Sequence, residues 1–512
     1  MDDAAAATRI TLADQFQLGL VRSPEGVALR LGDRTWTYVE LHQEALRLAG
    51  ALVEATGRRP AVVGVLAFRT IESYAGILAA LYAGATTVPL SPGFPAERTA
   101  EMVTAAGVEV VIADRSGTTA LPALRQKVPA LRVVTIDTAA PPLPGPVSTD
   151  VDRAAYILFT SGSTGRPKAA PVTHANMAHF LAFNRDRYGL GPDDVCSQTG
   201  DCTFDLAMSE LFLAWSSGAE LVSTPVQAFV DLPAFVTRNR LTLWISVPSV
   251  IELVRRRGQL RPGAMPTLRW SLFCGEPLRA ADAQAWQGAA PEGSVENLYG
   301  PTELTVACTA HRLTPDDTPE RCVNGVVPIG SVYPSLDATI LNEDGVPGAD
   351  TGELCVTGPQ MFPGYLDPAD DTGRFLDHRG LRWYRTGDLV RTLPGGELAY
   401  LGRTDHQVKI RGYRVELAEL EWHIGQVTGI DLALVTPVIV QGNRRLFAWY
   451  TGVPGAGERI VDHLSAHVPE FMLPHWVEHV DEWPLNANRK IDRRRLTGRA
   501  QDLVDAGPVS GA

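Results

Sequence analysis

The chain has 512 residues, more than one hydrophobic core usually supports, so two or more domains are expected. Its composition, 45% hydrophobic and 20% charged, is that of an ordinary soluble globular protein, and a formal net charge of -12 argues against a general nucleic-acid binder. The six cysteines form no CxxC pair, so neither a disulfide framework nor a cysteine zinc site is predicted.

The N-terminal stretch MDDAAAATRITLADQF carries acidic residues and lacks the apolar core of a signal peptide. No uninterrupted apolar run is long enough to cross a membrane. A cytoplasmic protein without membrane partners is therefore expected.

The first third of the chain alternates between strand and helix patterns. Segment 35–53 begins extended and then places Leu41, Ala45, Leu48 and Leu52 at helical spacing. AVVGVLAF follows as a strand, ESYAGILAALYAGA as a helix closed by Gly84, and TTVPLSP as another strand. This alternation through residue 115 predicts a doubly wound α/β fold with a largely parallel sheet.

The next segment, 116–146, is rich in Pro and Ala and is predicted to be a surface connection. Further on, Thr173 is expected to cap a helix. The following His174 is interpreted either as a functional group or as a capped or solvent-facing histidine.

Between these segments, an apolar strand pattern ends abruptly in the loop TSGSTGRPK, which begins at Thr160. Glycines allow close backbone approach to an anion, hydroxyls donate further hydrogen bonds, and Arg166 and Lys168 offset phosphate charge. A flexible surface loop is the alternative. A Walker A loop is excluded, because Lys168 stands three places after Gly165 and no Ser or Thr follows it.

The loop closely resembles the signature loop of the adenylate-forming superfamily, which includes acyl-CoA synthetases, luciferases and adenylation domains of nonribosomal peptide synthesis. The stretch PLSPGFPAER, 89–98, resembles that family's second motif. The resemblance implies that the loop holds the β- and γ-phosphates of ATP, through Thr160, Ser161, Gly162, Ser163, Thr164, Gly165 and Lys168.

Asp205 lies between Phe204 and Leu206 in an otherwise apolar run. A carboxylate in such a run needs a partner, either a salt bridge, a helix terminus or a cationic ligand. In the amino-acid adenylation domains that this segment resembles, the aspartate pairs with the ammonium group of the substrate. The resemblance therefore favours an amino acid over a fatty acid.

The later motifs follow in the order of the same family. Gly275, Glu276 and Pro277 are similar to the turn that flanks adenine, and YGPTE, 299–303, matches the fifth motif. By resemblance, Tyr299 stacks on the purine, Thr302 lies near the α-phosphate, and Glu303 is an oxygen ligand for Mg²⁺.

Two more motifs imply the ribose contacts and the domain boundary. WYRTGDLV carries Asp388, which by resemblance accepts hydrogen bonds from both ribose hydroxyls, and Arg403 is a second ribose or phosphate contact. Asp405 corresponds to the hinge between a large N-terminal domain, 1–404, with doubly wound sheets, and a small mobile α+β lid, 405–512.

Near the C-terminus, WPLNANRKIDRRRL resembles the last motif and makes Lys490 the catalytic lysine, with Arg489 in place of the usual glycine. Lys490 would stabilise the charge that builds on the α-phosphate. After rotation about the hinge, Lys409, Arg411 and Gly412 would meet an incoming thiol.

The implied reaction is ATP-dependent, Mg²⁺-dependent activation of an amino acid, followed by transfer to the phosphopantetheine thiol of a separate acyl or peptidyl carrier protein. Apart from Asp205, the implied pocket is small or apolar, which favours an aliphatic or aromatic substrate. The chain resembles enzymes that load β-amino acids for macrolactam polyketides; α-amino acid adenylation for peptide synthesis and a carboxylic acid CoA ligase are the alternatives. The pocket positions, with Lys490, are Asp205, Leu206, Ser209, Ser246, Leu272, Cys274, Leu298, Gly300, Val306 and Ala307.

Overall fold

A computed structural model describes residues 10–162, 165–320, 322–404, 407–484 and 491–507. Within these ranges the structure is a mixed α/β fold that divides into two compact units. In this described part, no helix has both the length and the apolar character needed to cross a membrane.

The helices and strands alternate along most of the chain. The helices are α1 (Leu12–Arg22), α2 (Tyr38–Thr56), α3 (Ile71–Tyr82), α4 (Ala96–Ala106), α5 (Arg115–Lys127), α6 (His174–Tyr188), α7 (Asp205–Ser217), α8 (Leu232–Arg238), α9 (Ser249–Arg256), α10 (Ala280–Ala289), α11 (Leu417–Gly425), α12 (Gly457–His467) and α13 (Arg493–Ala506). The strands are β1 (Val27–Leu31), β2 (Arg34–Thr37), β3 (Val62–Leu66), β4 (Thr86–Leu90), β5 (Val110–Ala113), β6 (Arg132–Val134), β7 (Ala154–Thr160), β8 (Lys168–Thr173), β9 (Val195–Gln198), β10 (Glu220–Ser223), β11 (Leu243–Ser246), β12 (Trp270–Cys274), β13 (Ser294–Tyr299), β14 (Thr309–Arg312), β15 (Ser331–Val332), β16 (Asp337–Leu341), β17 (Thr351–Thr357), β18 (Phe375–His378), β19 (Leu381–Thr392), β20 (Leu398–Arg403), β21 (Gln407–Ile410), β22 (Tyr413–Glu416), β23 (Ile430–Val440), β24 (Asn443–Gly452) and β25 (Trp476–His479).

The larger unit comprises segments 1–92, 103–158 and 169–404. One sheet has the strand order β15-β14-β13-β12-β11-β9-β10-β1-β2, and the strands from β13 to β1 in that order pair in parallel. A second sheet, β6-β5-β3-β4-β7-β8, also contains parallel pairs, and a third, antiparallel sheet is built on β16 to β20. The predicted doubly wound architecture is confirmed.

Local sequence explains why the first elements form where they do. Thr37 and Glu40 make a capping box at the start of α2, and each side chain accepts a hydrogen bond from the other residue's backbone N–H. The four apolar residues predicted to line one face of this helix are all completely buried: Leu41, Ala45, Leu48 and Leu52. Gly84 has a φ of 74° just after α3, consistent with its predicted role in closing that helix.

The prediction of a surface connection over 116–146 is wrong at its start, where α5 forms. Asp114 caps this helix by accepting a hydrogen bond from the Gly117 backbone at 2.6 Å. The helical periodicity of this segment is weak, because Pro122 lies inside the helix and only a narrow face, with Leu121 and Leu124, is buried. The short apolar run LRVVTI, 131–136, contains the edge strand β6, which pairs with β5.

The smaller unit comprises 93–102, 159–168 and 405–512, so two short segments group with the C-terminal part of the chain. It contains the hairpin of β21 and β22, a sheet of β23, β24 and β25, and helices α11 to α13. Asp405, the predicted hinge, lies outside the described residues, and the 404/405 domain boundary stays a prediction.

The structure corrects the interpretation of His174 as a capped or solvent-facing side chain. Thr173 caps α6 as predicted, accepting a hydrogen bond from the Asn176 backbone. The His174 ring itself is 2% exposed, and its Nδ1 accepts a hydrogen bond from the Leu12 backbone N–H at 3.1 Å. The ring therefore connects α6 with the start of α1.

Acid is expected to destabilise the fold through His174. Burial lowers the pKa of this imidazole from about 6.5 to about 4, so in that interval the unfolded chain binds a proton that the folded chain excludes. The resulting stability is complete above the unfolded pKa and falls by ~1.4 kcal/mol per pH unit as the pH drops towards 4. Urea unfolding between pH 4.5 and 7.5 should show a shallower pH slope for His174→Asn, which keeps an acceptor for Leu12; equal slopes would contradict the assignment.

Candidate active site

The YGPTE motif forms a tight turn at the end of β13. An added Cβ at Gly300 would lie 2.7 Å from the Ala307 Cα atom, so only glycine fits there. Two residues further along the same turn have left-handed backbone conformations, Thr305 with a φ of 59° and Val306 with a φ of 69°. A β-branched valine in this region is strained, and such strain is typical of functional sites.

Gln360 holds the strained turn in place. Its buried side-chain Nε2 donates hydrogen bonds to the Ala307 carbonyl at 2.8 Å and to the Leu304 carbonyl at 3.2 Å. The backbone carbonyl of Gln360 accepts a hydrogen bond from the Thr305 hydroxyl at 2.6 Å. Sequence reasoning did not single out Gln360, because its contacts are more than 50 residues away along the chain.

Asp388 meets both of the residues that the resemblance implied would share its site. Its Oδ2 accepts a hydrogen bond from the Tyr299 hydroxyl at 2.6 Å, and its Oδ1 accepts one from the Arg403 guanidinium at 2.7 Å. Direct pairing of Asp388 with Arg403 across β19 and β20 sets the second contact. The three side chains form one cluster in the larger unit.

The electrostatics of this cluster suit a carboxylate that accepts further donors. Burial, and next the negative charge of Asp388, raise the pKa of Tyr299, so its hydroxyl stays protonated and donates. Each carboxylate oxygen has two lone-pair directions, so one bond on each oxygen leaves acceptor capacity for a vicinal diol. The remaining acceptor capacity of Asp388 therefore fits the two hydroxyls of a ribose.

Glu303 is completely buried in the short 3-10 helix that follows the turn. The Tyr365 hydroxyl donates a hydrogen bond to its carboxylate, and the Phe362 backbone N–H donates one to its carbonyl at 2.9 Å. A carboxylate oriented by a hydroxyl donor has the oxygen atoms that Mg²⁺ prefers, so Glu303 fits a hard-oxygen ligand of Mg²⁺. Thr302 begins the same 3-10 helix, directly before Glu303.

Glu276 has a structural contact in addition to its implied place beside adenine. Its Oε2 accepts a hydrogen bond from the Ser249 backbone N–H at 2.8 Å, at the N-terminus of α9. Gly275 precedes it with a φ of 94°, a conformation that favours glycine. Pro277 follows in the same turn.

Five residues of the implied pocket wall are buried in a single apolar cluster. It includes Leu272 and Cys274 from β12, Leu298 from β13, and Val306 and Ala307 from the turn. Cys274 pairs with Leu298 across the two parallel strands, so both lie at their carboxyl ends. Ligands of open α/β sheets bind at this edge.

Asp205 is the first residue of α7. This helix begins after the loop that follows β9, at the same edge of the sheet. The helix N-terminus favours its negative charge. Its neighbour Leu206 packs against the apolar cluster of the wall. The charge of Asp205, after burial, raises the pKa of Tyr156, a completely buried member of that cluster.

The two serines of the implied pocket are placed differently. Ser209 is buried one turn into α7, where its hydroxyl donates to the Leu206 carbonyl at 2.7 Å. Ser246 accepts a hydrogen bond from the Trp244 indole at 2.9 Å, so it lies on the face of β11 that carries Trp244. The opposite face carries Ile245, which belongs to the wall cluster.

In the smaller unit, the implied phosphate loop makes internal hydrogen bonds. The Ser161 hydroxyl donates to the Arg414 carbonyl at 2.9 Å and accepts from the Glu416 backbone N–H at 3.0 Å. The Gly162 backbone N–H donates to Glu419 Oε2 at 3.2 Å, and Arg98 pairs with the other Glu419 oxygen at 2.6 Å. A carboxylate thus binds one of the donors that the resemblance assigned to a phosphate.

The rest of this loop is closely packed. Gly165 has a φ of 80°, and an added Cβ would lie 2.4 Å from the Trp422 ring. Thr160 and Lys168 are buried. Ser163 and Thr164, assigned to phosphate binding from the sequence, lie outside the described residues.

The implied thiolation residues lie at the turn between β21 and β22. Arg411 and Gly412 both have positive φ, 51° and 84°, as a two-residue hairpin turn of type I′ requires. Lys409 pairs with Arg414 across the hairpin. The catalytic lysine implied by the last motif, Lys490, lies outside the described residues.

Comparisons with known proteins show the family of the chain. Residues 16–366 match the family model described as AMP-binding enzyme. L-proline--[L-prolyl-carrier protein] ligase of Streptomyces coelicolor is 35% identical over 503 residues, which cover 91% of this chain and 92% of that protein. Bacitracin synthase 3 of Bacillus licheniformis is 32% identical over 509 residues, which cover 97% of this chain but only 8% of that protein.

Solved structures show the same fold. The crystal structure of IdnL7 is 44% identical with a TM-score of 0.74, covering 96% of this chain and 99% of that one. The Vibrio cholerae adenylation domain AlmE, in complex with glycyl-adenosine-5'-phosphate, is 29% identical with a TM-score of 0.82. The match covers 95% of this chain and 96% of AlmE.

Proposed function

Because the chain belongs to the AMP-binding enzyme family, we propose that it activates an apolar amino acid and transfers it to the phosphopantetheine thiol of a separate carrier protein. The enzyme is a ligase, and enzymes of this family use ATP with Mg²⁺. The cluster of Asp388, Tyr299 and Arg403 supports ATP binding through the ribose, and Glu303 supports the metal.

The proposed reaction has two displacements. A carboxylate oxygen of the amino acid attacks the α-phosphorus of ATP, the bond to the bridging oxygen breaks, and pyrophosphate leaves. The thiol sulfur then attacks the carbonyl carbon of the adenylate, its proton passes to solvent, and AMP leaves as the thioester forms. Neither step needs a nucleophile from the enzyme, so catalysis depends on alignment and charge stabilisation.

Asp205 is the observation that carries the amino-acid assignment. Its carboxylate stands at the start of α7, beside Leu206 and within electrostatic reach of the buried Tyr156. An ammonium group offers the opposite charge that a carboxylate in these surroundings favours. The neighbouring side chains from β12 and β13 are apolar, which supports an aliphatic or aromatic substituent.

The position of the amine distinguishes two candidates. The resemblance to enzymes of macrolactam polyketide assembly makes a 3-amino acid the first candidate. A 2-amino acid is the second, favoured by the glycyl adenylate bound to AlmE and by the proline in the name of the Streptomyces ligase.

Substrate-dependent pyrophosphate release tests the proposal. Matched 2-amino and 3-amino acids of equal chain length are compared with the deaminated acids, and preference for the 3-amino series is expected. Preference for the 2-amino series would instead assign an ordinary α-amino acid. Turnover restricted to deaminated acids would overturn the amino-acid assignment.

A second assay tests the acceptor. The preferred amino acid, labelled with ¹⁴C, is supplied with ATP and either coenzyme A or phosphopantetheinylated carrier proteins. Label on a carrier protein that is released by hydroxylamine, as a thioester is, supports the proposed transfer. Label found only on coenzyme A would assign a CoA ligase.

A further inference from the structure

Three histidines of the smaller unit, none of which is assigned a role in the site described above, converge on one point. His463 and His467 are four residues apart on α12 and share one face of that helix. His423 comes from the last turn of α11. One ring nitrogen from each lies within 4.8 Å of the others.

The hydrogen bonds of these rings are compatible with one ligating nitrogen on each. His467 Nδ1 bonds to the His463 carbonyl at 2.7 Å, which leaves Nε2 as its outward nitrogen. Within the part of the chain that the structure describes, His423 Nδ1 and His463 Nε2 are buried and have no hydrogen-bond partner. Unsatisfied buried nitrogens cost about 1–3 kcal/mol each, so their convergence calls for a ligand.

We propose that His423, His463 and His467 bind a divalent transition metal ion of the zinc class, through His423 Nδ1 and the Nε2 atoms of the other two rings. Three imidazoles suit Zn²⁺, Co²⁺, Ni²⁺ and Cu²⁺, whereas Mg²⁺ prefers oxygen ligands. The site is therefore chemically distinct from the Mg²⁺ site that includes Glu303. A water or another exogenous ligand completes a tetrahedron.

The surroundings of His423 fit a ligating ring. This side chain is 5% exposed, and a hydrogen bond with the Gly165 backbone engages its other nitrogen. A second bond of this kind fixes the tautomer and the orientation of a metal-bound imidazole.

The nearby charges are balanced. The positive charge of Arg98 lies within electrostatic reach of His423, but its guanidinium forms an ion pair with Glu419 at 2.6 Å. The carboxylate of Glu101 lies within electrostatic reach of His467. A cation at the three rings thus has a carboxylate in its surroundings.

The geometry requires a small contraction. Nitrogens bound to one tetrahedral zinc ion lie about 3.3 Å apart, given Zn–N bonds of ~2.0–2.1 Å. His463 and His467 are only partly buried and stack with ring centroids 4.2 Å apart. Because both side chains are partly exposed, we expect their rotation to bring the nitrogens to that distance.

Metal binding would connect α11 to α12 within the smaller unit. The ring of His423 also connects the ion to Gly165, within the segment 159–168 that groups with this unit. We therefore expect the ion to stabilise the folded state, as a ligand that binds only that state does.

The test uses the full chain without a histidine tag, treated with EDTA and then dialysed. Isothermal titration with ZnCl₂ should give one site in the wild type, with an increase in the midpoint of thermal unfolding. His467→Gln and the triple His→Gln variant should each weaken zinc affinity by about 100-fold or more. His475→Gln, an exposed histidine outside the cluster, is the matched control and should bind zinc like the wild type.

Cobalt spectroscopy identifies the ligands. Co²⁺ should give visible d–d bands of a tetrahedral nitrogen site in the wild type, without the near-ultraviolet charge transfer of thiolate ligands. Zinc binding of equal affinity in the triple variant would overturn the proposal, and so would thiolate bands that point to the cysteines. Because His467 is partly exposed, the single variant keeps the test decisive if the triple variant fails to fold.

Discussion

Asp205→Ala is expected to lower kcat/KM for the preferred amino acid by about 100-fold to 1,000-fold. Removing one partner of a desolvated charge pair costs ~2–5 kcal/mol, because the ammonium group is left without its counter-charge. Activity with the matched deaminated acid should change little or rise, since the carboxylate only opposes binding of an uncharged chain. Pyrophosphate release with both substrates measures the two effects in one assay.

Two controls separate this effect from a loss of structure. Asp205→Asn keeps the size of the side chain and should behave like the alanine variant, because the charge is the feature removed. Asp201→Asn removes a carboxylate four residues earlier that accepts a hydrogen bond from the Thr203 backbone, and it should retain substrate preference. Equal losses for amino and deaminated acids in Asp205→Ala would contradict the ammonium contact.

Glu303→Gln is expected to lower kcat for adenylate formation by about 100-fold to 1,000-fold, the loss typical of removing one electrostatic contact to the transition state. The amide still accepts a hydrogen bond from Tyr365, so the fold around the turn is retained while the negative charge is lost. The Mg²⁺ concentration needed for half-maximal activity should rise. Initial rates measured across a Mg²⁺ series report both changes.

Tyr365→Phe is the companion variant for Glu303. It removes the hydroxyl that orients the carboxylate but leaves the charge, so a smaller rise in the Mg²⁺ requirement is expected. An unchanged Mg²⁺ dependence in Glu303→Gln would remove Glu303 from the metal site, whatever happened to kcat.

The Glu419 contact shows what the motifs alone did not reveal. The loop that resembles a phosphate-binding segment uses a backbone N–H to bind a carboxylate from α11, which lies more than 250 residues later. Arg98, the last residue of the segment that resembles the second motif, forms an ion pair with that carboxylate. Neither residue carries a local pattern that marks this pairing, because the contact depends on how distant segments pack.

Sequence by itself determined the local elements and the family. Capping residues such as Thr37 and Thr173 act on the backbone within three residues, and the buried face of α2 follows from helical periodicity, so both could be predicted. The ordered motifs predicted the family, which the comparisons confirm. Helix α5 escaped prediction, because Pro122 and a sparse apolar face obscured a helix that its cap and packing stabilise.

Only the tertiary structure decided which side chains meet. Tyr299 and Asp388 are 89 residues apart, and their hydrogen bond exists because two different sheets bring the end of β13 beside the interior of β19. The face on which Ser246 lies depends on strand register, which a shift of one residue would reverse. The His463–His467 spacing is visible in the sequence, but the third ring at His423 comes from another helix. Long-range packing sets such contacts, and no periodicity along the chain encodes them.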